Sequence, residues 1–410
     1  MTNIKQFSLL SESEITNLYA RPDFNSDEQK LYFSMNQIEL DALSHYSTTK
    51  TRVAFILQLA YFKTKHQFFN FKFEDVHADV QYILVKFFKI TRLKLKGNIT
   101  RQYLNMQKQI ILNLFNYQDC SLKQSSLIGA HLCELLRYYP KGHDTFRQLL
   151  VYLENQKIII LSYRNLQDLF TDAFFKENER LGRLVMLIPH AQQEQLSELI
   201  TREDGISKLN IIRSDQKNFQ YTAVKSEVDK AVKIADLYEF AKQFLPTLKL
   251  SKNAIRYYAD LAEQYAASRL RKLNNSQQWL QILCFIYHRF QQIMDNLITS
   301  FIYHTRSIMD AAKIYSAKEM AEHSSRIDID LPKLAQFLKW FPNRKPGLNH
   351  EELNREAYKI FPEEQFPALA QFLQGQTFDK RAAKWEFYSK SSRLFALYLR
   401  PIMLTVPFVL

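Results

Sequence analysis

Asp328 and Asp330 stand two residues apart in the string DIDLP, a spacing that invites a metal-dependent nuclease reading. Two-metal phosphodiester chemistry needs acids delivered from separate elements, so a lone pair on a connector reads instead as solvent-facing charge. The ten histidines are scattered, and none shares a short ligand motif with a cysteine or carboxylate. Cys120, Cys133 and Cys284 are far apart and odd in number, which suggests neither a zinc knuckle nor a disulfide framework and fits a reducing cytoplasm. With no glycine-rich phosphate loop, HExxH, GxSxG or EF-hand string in the sequence, no catalytic, cofactor-binding or metal-ligating residue is expected.

The residues whose types suit recognition are more numerous. Arginine, lysine, asparagine and glutamine bond to phosphates and base edges, and helix starts favour phosphate. Thr49, Lys50 and Arg52 open one amphipathic pattern, with Lys63 and Lys65 at its far end. Arg101, Asn105, Gln107 and Lys108 lie on a second. Arg137, Lys141, His143, Arg147 and Arg164 fall within a third stretch, 137–165. These fourteen are the candidate DNA contacts. The competing reading makes each of them the polar face of an ordinary amphipathic helix, as in a helical structural or protein-interaction module.

Charge distribution favours a polyanionic partner. The 410 residues carry 55 Lys+Arg against 42 Asp+Glu, a net charge of +13. Residues 1–47 hold 3 basic and 7 acidic side chains, whereas 48–119 hold 12 basic and 4 acidic. Such a concentration steers a chain towards nucleic acid. No apolar stretch is long enough to span a bilayer, and the first fifteen residues do not read as a signal peptide. The expected partner is therefore double-stranded DNA and not a membrane, and the expected location is the cytoplasm.

The elements that must carry these residues read as helices throughout. Only 7 glycines and 11 prolines occur, too few for turn-rich sandwiches or propellers. Ser11 or Ser13, then Ser34, then Thr48 or Thr49 precede amphipathic runs as caps. The β-like string QKIIIL at 156–161 reads as readily as a connector or a helix end. A polar stretch containing Gly205 predicts an exposed connection near 203–220. The pattern over 276–323 lacks both proline and glycine; as one helix it would span on the order of 70 Å, enough for a scaffold, an inter-lobe link or a dimer surface. Proline and charge return after 325.

At YFSMNQIELDALSHYSTTKTRVAFILQLAYF the chain resembles the N-terminal region of Tn3-family transposases, the helical DNA-binding part designated DUF4158. Tyr32, Phe33, Ser34 and Leu40 match the family's first element. Arg52, Val53, Phe55, Gln58, Leu59, Tyr61 and Phe62 match its second, with Ala54 in place of the usual glycine and Thr51 in place of asparagine. Ile158, Ile160, Leu161, Leu166 and Leu169 match apolar positions of a later block in which Ser162 and Tyr163 replace Pro-Gly. Gln107 and Lys108 offer donors where the family carries arginine and histidine.

The resemblance implies an all-α, multidomain protein with helix-turn-helix-like DNA-binding domains and a long-helix scaffold. Four segments are expected: 1–90, 91–220, 221–325 and an incomplete 326–410. The implied role is to bind transposon terminal inverted repeats, alone or as a homodimer, without catalysis. The family's RNase H-like Asp/Asp/Glu portion, for which Mg²⁺ would be needed, would lie beyond this chain. Asp328 and Asp330 do not correspond to that set.

Overall fold

The computed structural model describes residues 9–91, 93–203, 206–325, 330–375 and 379–407. Gly205 and Asp328 lie outside the described residues. The protein is all-α and multidomain, with long helices. Among the described residues, β structure is limited to a two-residue antiparallel pair, Arg202–Glu203 with Ile206–Ser207, and one bridge between Gln118 and Ile158. The chain divides into two compact units, one of Met1–Ser197 with Lys242–Phe285 and one of Glu198–Ala241 with Ile286–Leu410.

The first unit holds two hydrophobic cores. Helices α1 (Glu12–Tyr19), α2 (Ser26–Tyr32), α3 (Gln37–Ser44) and α4 (Thr49–Lys65) open it. Ser11, Asn25, Asn36 and Thr48 accept backbone N–H groups at their starts, satisfying donors that a helix leaves unpaired. The cap of α3 is Asn36 rather than Ser34, because Glu39 stands three residues on and returns the bond to the Asn36 N–H. Every residue of α4 from Val53 to Phe62 is buried, so this helix is wrapped on all sides rather than striped. Its one amide there, Gln58, is satisfied by Phe69, donating to the carbonyl at 2.6 Å and accepting from the N–H at 3.3 Å. Around α4 pack α2, α3, α5 (His77–Ile83) and α6 (Arg101–Phe115).

The second core lies between α7 (Leu122–Tyr138), α8 (Gly142–Asn155) and α9 (Tyr163–Val185), which meet through Ile128, Leu132, Leu136, Phe146, Leu149, Leu166 and Phe170. The string 156–161 is a connector. Ile158 faces this core and Ile159 faces the core around α4, so the two-residue alternation of an extended chain stitches the cores together. The Gln118 bridge fixes it, with N–H to Lys157 O at 2.7 Å and Ile159 N–H to Gln118 O at 3.1 Å.

Helix α10 (His190–Glu198) precedes the β-pair, followed by α11 (Lys208–Arg213), α12 (Tyr221–Phe244), α13 (Lys252–Gln264), α14 (Ala267–Leu270) and α15 (Asn275–Ser325). The pattern over 276–323 is thus one continuous helix of 51 residues. Within the second unit, Arg289 is buried and donates to the carbonyls of Ile212 at 2.9 Å and Ser214 at 2.7 Å and to Asp215 at 2.9 Å. It closes the C-terminus of α11, where orphan carbonyls and the helix dipole favour a cation. Helices α16 (Leu331–Trp340), α17 (His350–Ile360), α18 (Phe366–Gly375) and α19 (Lys380–Lys390) complete the main elements. Phe337, Phe361 and Phe366 form an edge-to-face cluster among them. No helix among the described residues is long and apolar enough to cross a membrane.

Candidate nucleic-acid interface

The structure brings the fourteen candidates to four places on the first unit. At the start of α4, Lys50 Nζ donates to Lys96 O at 2.9 Å and Arg52 Nε donates to Tyr46 O at 2.6 Å. Thr49 is partly exposed beside them. Gln107 of α6 is buried and donates to Thr51 O at 2.8 Å, so the first two candidate groups meet. At the far end of α4, Lys63 Nζ donates to Ser34 O at 2.7 Å and Glu39 Oε2 at 2.8 Å. Lys65 Nζ donates to the carbonyls of Asn17 and Ala20 at 2.7 and 2.6 Å, and burial pulls its pKa down. The heads of Lys63, Lys65 and Gln107 are thus engaged inside the protein.

On α6, Arg101 and Asn105 are exposed without a polar partner among the described residues. Lys108 pairs with Asp119. It lines a cleft of about 490 Å³ with Ser121 and Ser125 of α7 and Ser162 and Asn165 at the start of α9. Arg164 is exposed beside that helix start.

The fourth place is the junction of α7 and α8, joined by a three-residue turn, Tyr139–Pro140–Lys141. The pyrrolidine ring restricts Tyr139 as well as Pro140, ending α7 sharply. Thr145 then anchors the first turn of α8, its hydroxyl donating to Lys141 O at 3.1 Å. Lys141 and Arg147 are exposed, with no ion-pair partner among the described residues. His143 Nε2 is 2.9 Å from Glu14 Oε1, and Arg137 Nε donates to Glu177 Oε2 at 3.3 Å. The Ser11 backbone N–H, with His143 second, holds the Glu14 carboxyl down at about 2.

Residues distant in sequence join this junction. Ser251, the cap of α13, donates its backbone N–H to Arg137 O at 2.9 Å and its hydroxyl to Tyr138 O at 3.1 Å. A groove of about 270 Å³ follows, lined by Lys141 and Asp144 from one side and Asn253, Arg256 and Asp260 from the other. Arg256 was not among the sequence candidates, and over a separation of more than a hundred residues no local signal could have paired it with Lys141.

Among the described residues no group of His, Cys, Asp and Glu is placed to hold a metal ion. Asp330 caps α16, accepting the Lys333 N–H at 3.1 Å and pairing with Lys333 Nζ at 3.0 Å, and this partner holds its pKa down.

The described chain is thus a multidomain helical protein with most of its basic candidates at the two ends of its helices and in one turn. Residues 9–173 match the family model described as "Domain of unknown function (DUF4158)", the region that holds the segments resembling the N-terminal part of Tn3-family transposases. No curated protein matches the chain.

Proposed function

We propose that the protein binds the terminal inverted-repeat duplex of a transposon, as the non-catalytic N-terminal part of a Tn3-family transposase. In this reading α7, the Tyr139–Lys141 turn and α8 act as a helix-turn-helix-like element, with the start of α8 facing the major groove. Arg147 reads base edges and Lys141 holds a phosphate. Arg101, Asn105 and Arg164 add contacts from the starts of α6 and α9. The observation that carries the reading is the α7–α8 junction, which presents Lys141 of the turn and Arg147 of α8 to solvent with no ion-pair partner among the described residues.

Fluorescence anisotropy with an inverted-repeat duplex and a scrambled duplex, each titrated over salt, tests it. Preference for the repeat together with a steep salt slope supports the reading. Equal, salt-insensitive affinities overturn it.

A second reading, a helical interaction module, draws on the second unit. There α16 and α17 bury no residue fully, and Leu331, Leu338 and Phe341 are exposed. Sedimentation that shows self-association without any duplex preference would favour it.

A further inference from the structure

Between Asp79 and Asp119 the chain contains no Asp or Glu, while Lys86, Lys89, Arg92, Lys94, Lys96, Arg101 and Lys108 all fall there. The middle of this stretch is an extended strap without helix or strand pairing, and its side chains alternate in and out. Leu93 and Leu95 pack against the core around α4, and Ile99 is buried in it. Lys94, Lys96, Asn98 and Thr100 are exposed. This is the two-residue period of an extended chain with one apolar face.

The strap is held in place rather than draped. Gly97 sits in the left-handed region at φ 72, which a side chain would resist. Its N–H donates to both carboxylate oxygens of Glu74, at 2.9 and 3.2 Å, and its carbonyl accepts the Phe73 N–H at 3.0 Å. Lys50 clamps the Lys96 carbonyl from the start of α4. Glu74 is thereby committed to backbone; Lys72 and Lys96 act on its carboxylate through space, without an ion-pair contact. Lys89, Lys94 and Lys96 have no hydrogen-bond or ion-pair partner for their side chains among the described residues.

From this geometry we infer that the strap is a second, sequence-independent contact for the phosphate backbone of duplex DNA, separate from the α7–α8 turn. Lys94 and Lys96, two positions apart on an extended chain, are about 7 Å apart along it and suit successive phosphates of one strand. The apolar face below fixes their direction, so little backbone ordering is lost on binding. The inference rests on the DNA-binding reading above, and its outcomes separate from that reading.

The test compares the full chain with its Lys89→Ala/Lys94→Ala/Lys96→Ala variant on the repeat and scrambled duplexes, with circular dichroism as a check on folding. The variant should lose about tenfold or more in affinity at low salt for both duplexes alike. The slope of log K against log salt should fall by about 3, two from Lys94 and Lys96 and one from Lys89 at the head of the strap. The triple Lys→Arg variant should bind as the wild type does. Unchanged affinity and slope in the Ala variant, or a loss confined to the repeat duplex, overturns the strap while leaving the DNA-binding reading intact. A loss of binding to poly-glutamate but not to duplex overturns it in favour of an acidic polypeptide partner. A wild-type chain that binds no duplex overturns both.

Discussion

Lys63 Nζ stands 2.8 Å from Glu39 Oε2, with the lysine side chain 19% exposed and the carboxylate 6%. The pair ties the end of α4 to the first turn of α3, where the same carboxylate oxygen also accepts the Asn36 N–H at 2.9 Å. Removing the cation leaves a buried charge unanswered. Lys63→Ala should therefore cost about 2–3 kcal/mol in urea denaturation, and adding Glu39→Gln should recover part of it. The folded Lys63→Ala protein should keep its duplex affinity; a weakened complex with an unchanged denaturation midpoint would reverse that assignment.

Glu177 occupies a comparable place behind the α7–α8 junction. It is buried between Arg137 Nε at 3.3 Å and Arg180 Nε at 2.8 Å, and Arg180 Nη2 donates on to Leu248 O at 2.9 Å. Glu177→Ala strands two guanidinium groups, so a loss of about 3 kcal/mol in stability is expected. Thermal melts that match the wild type would show that the two arginines turn to solvent freely.

Arg147 and Lys141 should separate by the kind of binding they support. Arg147→Ala should cost about 1–3 kcal/mol against the repeat and much less against a scrambled duplex, relaxing specificity. Lys141→Ala should weaken both and lower the salt slope by about 1. If the two variants behave alike on both duplexes, the assignment of base reading to Arg147 fails.

Ser251 has two roles, capping α13 through the Ala254 N–H at 3.1 Å and bonding the end of α7. Ser251→Ala should cost about 1–2 kcal/mol. Protease sensitivity near residues 245–255 should rise with it, and intact protection would show that the Leu248 contact alone holds this join.

Glu14 gives the acid limb of stability a specific contributor. Its folded carboxyl lies at about 2, below the ordinary value of 4.5, chiefly through the Ser11 N–H and then through His143. A depressed carboxylate adds stability above its unfolded value and loses it as pH falls through the folded one. The contribution of Glu14 should thus be complete above about pH 5 and disappear between roughly pH 4.5 and pH 2. Glu14→Gln should flatten that part of the pH–stability curve, and a curve parallel to the wild type would remove the residue from the account.

Helical character was legible from the scarcity of glycine and proline and from the capping residues. Ser11 and Thr48 cap α1 and α4 as their positions suggested. The pattern over 276–323 forms the long helix its composition allowed. The candidate site was legible only as a set of residue types. A lysine at a helix end looks the same in sequence whether it meets water, as Lys141 does, or folds back onto carbonyls, as Lys65 does. The in–out alternation of 93–100 was present in the letters, but a short extended run beside a glycine gives no sign of the surface beneath it.

Periodicity, caps and charge density are local properties, so the order of residues alone determined an all-helical chain with a basic region before residue 120. Partnership is not local. Whether Lys63 answers Glu39, whether Glu74 is committed to Gly97, and whether Arg256 lies across from Lys141 depend on which helix ends meet. That is decided by how apolar faces close around α4 and between α7, α8 and α9, because burying those faces stabilises one arrangement and the polar groups must then find partners within it.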